Sequence, residues 1–438
     1  MPHLFDTAIE DALGRDMDPG PEVQMTNPAT LPSCYQTSAL AASSIGAAGR
    51  ELAALTGAER VTLDGAHASA WFDMTLQPIG WEMPSVWDDI AGVYRAQDGW
   101  IRLHTNAPHH RAAALEVLGC APEADAVKQA VAAWSAADLE TAVVSAGGAA
   151  AQMRDAAAWA AHPQGQAVAQ EPLIAWEETA QGAAPVKLSQ VKVLDLTRVL
   201  AGPVATRFLA GFGARVLRVD PPWWGEPGVE PEVTLGKRRC GLDLRNPNDR
   251  AAFNDLLSQA DILVHGYRPG ALEGLGLGPE ALRAQAPHLI DISLCAYGWT
   301  GPWAGRRGFD SLVQMSCGIA AEGMVRKGAA GPVPLPVQAL DHATGYLMAA
   351  AALRALRVRA QSGRILSARL SLARTAHLLM SAGAHPFEGA AIALPFDVPE
   401  ETGWGPAKRI RFPLQIDGAG PVWPHAAGPL RVDPPSGQ

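Results

Sequence analysis

The clearest pattern of apolar and polar positions begins well into the chain. An apolar run, Val191–Leu196, meets a polar turn at Thr197-Arg198. Ala201-Gly202-Pro203 then opens an apolar helical pattern, and a second apolar run, Arg215–Val219, ends at Asp220. This pattern predicts a β-turn-α-β unit, the building block of a parallel sheet that binds ligands at its strand ends. Further strands are expected at Cys240–Asp243, Ile262–His265 and Leu289–Ser293, and helices over Ala201–Gly211, Asn248–Ala260 and Gly278–Ala286. The Gly/Pro-rich stretch Thr300–Pro336 reads as loop. Beyond it the pattern predicts a long helix over Asp341–Ala360, a strand over Arg364–Leu370 and a helix over Ser371–Ala382. The Pro/Gly-rich residues 409–438 are expected on the surface.

The part that precedes Val191 has a different texture. Residues 1–30 are polar and proline-containing, which predicts a partly loose arm. Small apolar residues from Ser38 to Leu55 predict a closely packed helix that stops at Gly57. A short strand at Arg60–Leu63 and a helix over Ala66–Phe72 follow. Residues 92–176 open with a hairpin turning at Asp98-Gly99 and continue as helices over Pro108–Leu118, Glu123–Ala146 and Ala151–Ala161. Gln181–Pro185 reads as a linker. The segment SALAASSIGAAGRELAALTGAERVTLDGAHASAWF shares its plan with DHATGYLMAAAALRALRVRAQSGRILSARLSLARTAHLL: small-residue helix, Gly stop, Arg-led strand, second helix. Chance similarity between Ala-rich helices is the competing explanation.

Composition narrows the classes. The 438 residues, 48% hydrophobic and 18% charged, suit a globular protein of two or three domains. A net charge of −9 argues against a general nucleic-acid or membrane-surface binder, so an anionic ligand must be met by local cations. Five scattered cysteines form no CxxC pair and read as reduced core thiols, with no metal-site spacing. No leader and no apolar run of ~18 residues are evident, so a cytoplasmic protein without a membrane partner is expected.

Several residues could carry chemistry. Arg198 closes the first strand, and Ala201-Gly202-Pro203 lets an anion approach a helix N-terminus. No GxGxxG follows, so the usual dinucleotide fingerprint is missing. Gly236-Lys237-Arg238-Arg239 offers cations for a polyphosphate, or a solvated turn. Tyr267-Arg268 after Ile262–His265 places an aromatic beside an arginine, which fits a purine and a phosphate, or only a packed turn. Asp341 starts a helix of small residues, where an N-cap is the plain alternative to a chemical role. His342 beside it is a candidate base, although adjacent helical residues point in different directions. His109-His110 read as surface residues and Asp310 as a loop acid.

The motifs VLDLTRVLAGPVATRFLAGFGARVLRVDPP, GKRRCGLDL, ADILVHGYRPGALEGLGLGPEAL and GWTGPWAGRRGFDSLVQMSCG, in consecutive order over Val191–Met380, resemble the large domain of the class III CoA-transferases. That family holds formyl-CoA transferases, carnitine CoA-transferases and α-methylacyl-CoA racemases. Residues 92–176 resemble its small domain, which usually follows the large-domain core, so the order here is rearranged. The resemblance implies an α/β fold: a Rossmann-like parallel-sheet large domain with a smaller α+β domain. The implied organisation is an arm (1–30), a degenerate large-domain tail segment (31–91), a small domain (92–180) and a CoA-binding large domain (186–438). It implies Asp341 as nucleophile and coenzyme A along Arg198, Val199, Lys237, Arg238, Tyr267 and Arg268, with no metal. Backbone N–H groups near the Asp341 helix start would stabilise oxyanions.

The implied partners are acyl-CoA and a small carboxylic acid, and the implied assembly is a homodimer, interlocked in ordinary members. Matching Arg60 to Arg364 sets Thr37 opposite Asp341, with no acid nearby, so one active centre per chain is expected. Two departures bear on the activity. The racemase branch has a histidine where Phe309 stands. No glycine-rich loop of the kind that closes over the aspartate is found in residues 73–95. A CoA-binding homologue without transferase activity, or less readily a racemase, are the competing readings.

Overall fold

The apolar runs become one seven-stranded sheet. Its strand order is Arg238–Gly241, Arg215–Asp220, Lys192–Leu196, Ile262–His265, Ile290–Cys295, Arg364–Ser371 and Ala175–Gln181. The first six strands are parallel, and only the last pairs antiparallel. The computed structural model describes residues 4–14, 18, 20–182 and 187–436. From Lys192–Leu196 the chain first builds outward to one edge, then returns to build the other side. The order therefore reverses between Lys192–Leu196 and Ile262–His265, and the crevice beyond those two strand ends is the topological switch point where such sheets bind ligands.

The helix Ala201–Gly211 is buried along its whole length, as its small and apolar residues require. It lies against the helix Ala339–Ser362. A Cβ at Gly345 would stand 2.3 Å from the Ala201 carbonyl oxygen, so only glycine allows this approach. On its other side Ala339–Ser362 packs against Thr37–Thr56, from the first copy of the repeat. Glu51 closes the contact with a 2.6 Å ion pair to Arg357 and a 3.5 Å one to Arg354, all three buried.

The repeat is structural. Each helix follows a Gln with the same backbone: Gln36 at φ −73°, ψ 54° and Gln338 at φ −77°, ψ 63°. Each ends on a left-handed glycine, Gly57 and Gly363, both at φ 74°. A strand and a second helix follow in each case, and the second helix is N-capped by the strand's last residue, Asp64 or Ser371. Aligning the helix starts places Ala39, rather than Thr37, opposite Asp341. The second helix is longer at its C-terminal end, which misled the alignment through Arg60 and Arg364.

Residues 90–150 have their own apolar core, built from Ile101, Leu103, Val127, Leu139 and their neighbours. The expected helix Glu123–Ala146 is two, Ala124–Val131 and Ala136–Ser145, because Ser135 caps the second by accepting from the Asp138 N–H. The expected helix over Ala151–Ala161 begins as a strand, Ala150–Gln152, and becomes helical only at Ala156, after the Asp155 cap. Of the linker expected at Gln181–Pro185, Gln181 ends a strand, and 183–186 lie outside the described residues.

Three other stretches are more ordered than the sequence indicates. Within the first thirty residues, Asp6–Leu13 is a helix that follows buried Phe5 and buries Ile9, and Val23–Thr26 pairs with Val61–Asp64. Thr300–Pro336 holds two helices, Asp310–Ser316 and Ile319–Lys327, the first wholly buried. The C-terminal tail lies mostly on the surface, as expected, but is tied down. Leu414–Ile416 adds a third strand to the N-terminal pair, and Trp423 stacks on Trp71 at 5.9 Å.

Buried Glu232 ties these segments to the sheet layer. Its carboxylate accepts from Thr75 N (2.6 Å) and Leu76 N (2.9 Å), and pairs with Arg207 and Arg409, both at 2.9 Å. Burial pushes this carboxyl up, but Arg409 and Arg207 outweigh it and hold Glu232 below its ordinary 4.5. Glu232→Ala leaves buried Arg207 without counter-charge and Arg409 with Glu400 alone. It should cost about 3–5 kcal/mol, read as a fall in the urea midpoint at pH 7. In the wild type this contribution is present above pH 4.5 and is lost as pH falls through the lowered folded value, so the difference between the two proteins should shrink on acidification.

Candidate active site

A cleft of about 1150 Å³, open to solvent, lies at the switch point. Its floor comes from the two strand ends that flank the reversal. Leu196 leads to Arg198 and Val199, and His265 leads to Gly266, Tyr267 and Arg268. The Arg198 guanidinium lies 4.7 Å from the Trp224 ring and 5.3 Å from the Tyr267 ring, and donates to the Tyr267 hydroxyl at 3.1 Å. Val199 has φ +65°, a left-handed conformation that a β-branched residue adopts only under constraint. Glu226 supplies part of that constraint by accepting from the Val199 N–H at 2.9 Å, and it also accepts from the Trp224 indole at 3.1 Å. Tyr267 lines two further cavities beside the cleft, one reaching Trp223 and Arg245 and the other Trp299 and Arg369. The groove is thus long enough in outline for an extended ligand.

Asp341 reaches the same cleft from the third position of the helix Ala339–Ser362. A second carboxylate sits behind it. Asp310, expected in a loop, is the buried first residue of a helix. Its Oδ2 accepts from the N–H groups of Leu340 (2.8 Å) and Asp341 (2.9 Å), while Oδ1 accepts from Gln314. Asp310 thereby caps the helix that carries Asp341, and Asp341 is not itself the cap. Two of the N–H groups near this helix start, where oxyanion stabilisation was expected, are therefore already used by Asp310. Burial raises the Asp310 carboxyl to about 6 against those donated hydrogen bonds. Burial, then the neighbouring Asp310 charge, raises Asp341 well above its ordinary 3.8. Two neighbouring carboxyls this deep titrate as a pair, with the second ionisation delayed.

The remaining walls were not foreseen. His109, His110, Arg306, Arg307 and Phe309 line the cleft. His110 is 4% exposed, so only its neighbour His109 lies at the surface as expected. Phe309 is stacked by His104 with ring centres 3.6 Å apart. Residues 306–309 are clasped by the 90–150 unit: Arg306 donates to Glu140 and to the Ala150 carbonyl, both at 2.8 Å, and Arg307 to the Gly147 carbonyl at 2.8 Å. A buried histidine after a hairpin carries no periodic signal, which is why the sequence hid it.

Two predicted binding residues lie elsewhere. Lys237 is fully buried, with Nζ 2.9 Å from Asp195 and 3.0 Å from the Pro203 carbonyl oxygen. It braces the first strand against the helix behind the cleft. Arg238 sits on the far edge strand and donates to the Pro434 carbonyl at 3.3 Å. Neither lines the cleft. His342 points away from it and stacks on Phe72 at 5.2 Å. Among the described residues, no group of three or more His, Cys, Asp or Glu is placed to hold a metal ion, and no helix is long and apolar enough to cross a membrane.

The comparisons with known proteins bear on the same stretch. Residues 188–395 match the model of CoA-transferase family III. The chain is 35% identical over 191 residues to a probable fatty acyl-CoA transferase, Rv3272, of Mycobacterium tuberculosis, covering 40% of this chain and 48% of that protein. It is 34% identical over 190 residues to a mouse (Mus musculus) succinyl-CoA:glutarate CoA-transferase, covering 40% of this chain and 43% of that one. The chain thus spans less than half the length of these relatives. A CAIB/BAIF family protein of Brucella suis, a solved structure, aligns over 50% of this chain and 65% of its own at 26% identity and a TM-score of 0.40. The match over residues 188–395 bears out the family III resemblance drawn from the motifs, over the six parallel strands and the Asp341 helix.

The carboxyl pair generates a spectroscopic prediction. Infrared difference spectra between high and low pH should show a protonated carboxyl band persisting well above pH 4, absent from Asp341→Asn. In Asp310→Asn, which keeps an oxygen to accept the two N–H groups but removes the charge, the Asp341 band should disappear at lower pH. An unmoved band would show that Asp310's charge does not act on Asp341.

Proposed function

We propose that the chain is an acyl-CoA:carboxylate CoA-transferase acting through an aspartyl-CoA thioester on Asp341. The observation that carries the reading is the convergence of the Asp341 carboxyl with Arg198, Tyr267 and Arg268 in one cleft at the switch point. An arginine held between two rings and a second arginine at the next strand end suit a nucleotide-linked diphosphate in a protein of net charge −9. The family III match over residues 188–395 supports the same substrate.

In this reading the Asp341 carboxylate attacks the thioester carbonyl of the acyl-CoA. The C–S bond breaks, leaving a mixed anhydride and CoA thiolate. The thiolate attacks the aspartyl carbonyl of the anhydride, releasing the donor acid and leaving aspartyl-CoA. An acceptor carboxylate then attacks that thioester, and the thiolate returns to the acceptor's carbonyl, releasing acceptor-CoA and free Asp341. Covalent catalysis splits one difficult exchange into easier steps. The nucleophile must be ionised, so the raised Asp341 sets the lower limit of the working pH range.

The reading also carries a cytoplasmic setting and a homodimer, both implied by the resemblance. A racemase would need a proton donor where Phe309 stands.

Asp341→Ala should abolish CoA exchange between acyl-CoA and carboxylic acids while CoA affinity stays within about threefold, because the base and phosphate contacts are untouched. In the wild type the single-turnover rate of acylation should rise with pH through the titration of the carboxyl pair. Retained exchange in Asp341→Ala would overturn the proposal. CoA binding without exchange in the wild type would favour a binding homologue.

A further inference from the structure

Glu226 is the second carboxylate on an arginine that already has one. Arg218 is fully buried and pairs in bidentate fashion with Asp220, at 2.8 and 3.1 Å. Glu226 then brings one oxygen, Oε1, to the same guanidinium. Burying a carboxylate is costly, and Asp220 alone supplies the counter-charge Arg218 needs. The reason for Glu226 lies at its other end.

That end meets the cleft lining. Oε2 accepts from the Val199 N–H at 2.9 Å and from the Trp224 indole N–H at 3.1 Å, and both residues line the cleft. The Glu226 side chain is only 8% exposed, and its two oxygens are occupied, so it acts through these neighbours and not on a ligand. Both contacts converge on Arg198. Val199 is the next residue, and its φ of +65° persists only while something holds it. Trp224 presents its ring to the Arg198 guanidinium at 4.7 Å. Arg198 is thus placed from its backbone side and from its ring side, and it donates to the Tyr267 hydroxyl at 3.1 Å. A long arginine side chain ordered in advance loses little freedom when a ligand binds, which raises affinity.

We propose that Glu226 is a positioning residue that sets Arg198 for the diphosphate of CoA. This rests on the CoA-transferase reading and adds a residue to its nucleotide binding. The contacts run from the sheet interior to the cleft: Arg218 fixes Glu226, Glu226 fixes Val199 and Trp224, and these fix Arg198. The diphosphate is held alike before and during the reaction, so the effect falls on KM and not on kcat.

The test is a double-mutant cycle on Glu226 and Arg198 in the full chain, with CoA itself as the probe in calorimetric titration. Glu226→Gln keeps the shape, but its amide puts an NH2 group against either Arg218 or the two N–H groups. It should weaken CoA binding tenfold or more, and raise KM for acyl-CoA by a similar factor with kcat within threefold. In an Arg198→Gln background the same substitution should cost less than a further threefold, because the residue it acts through is gone. A purely structural role would cost the same in both backgrounds. A tenfold loss that persists without Arg198, or a Glu226→Gln protein that binds CoA like the wild type, overturns the proposal and leaves the transferase reading standing. Trp224→Phe keeps a ring beside Arg198 and removes only the indole N–H, so it serves if Glu226→Gln does not fold. It should weaken CoA binding threefold or more with Arg198 present and less than twofold without it, and equal losses would overturn the proposal. If the wild type binds no CoA, the transferase reading falls as well.

Discussion

The close packing of small-residue helices is the constraint on which the rest of this structure depends. Ala339–Ser362 lies between Ala201–Gly211 and Thr37–Thr56, and it can do so only because alanines and glycines face its neighbours. At Gly345 the backbone of one helix touches the backbone of the next. A helix so confined has little freedom to rotate or slide. Its N-terminus is therefore fixed relative to the sheet, and Asp341, less than one turn from that end, is fixed with it.

The two halves of the chain then have separate tasks. The first copy of the repeat provides the partner helix and the buried Glu51 that meets Arg354 and Arg357, but no acid at the position of Asp341. The 90–150 unit, placed before the sheet in sequence, folds back to clasp residues 306–309. That clasp sets Phe309 in the cleft wall and Asp310 under the helix start. Asp310 links the two tasks: it caps the confined helix and places a second carboxylate behind Asp341. The chain thus delivers a strand-end cleft with a carboxyl at its base.

What the sequence revealed follows from periodicity. Strands such as Ile262–His265 and helices such as Ala201–Gly211 and Pro108–Leu118 were legible because their apolar positions repeat with the right spacing. Arg198, Tyr267, Arg268 and Asp341 were legible because they sit at element ends, where chemistry collects. Lys237 was misplaced because charge alone does not say which way a side chain turns, and this one turns inward to Asp195. His110 was read as a surface residue and Arg307 went unnoticed, because their place in the cleft depends on a contact between segments far apart in the chain. The buried helix Asp310–Ser316 was taken for loop because the glycines and prolines around it dominated the local pattern.

The central claim is that Asp341 forms a covalent bond during turnover. Incubating the protein with an acyl-CoA, quenching with hydroxylamine and measuring the mass of the peptide that contains Asp341 tests it most directly. The account predicts an aspartyl hydroxamate at Asp341, formed only when acyl-CoA is present. An unmodified Asp341 peptide under conditions in which CoA exchange proceeds would contradict it.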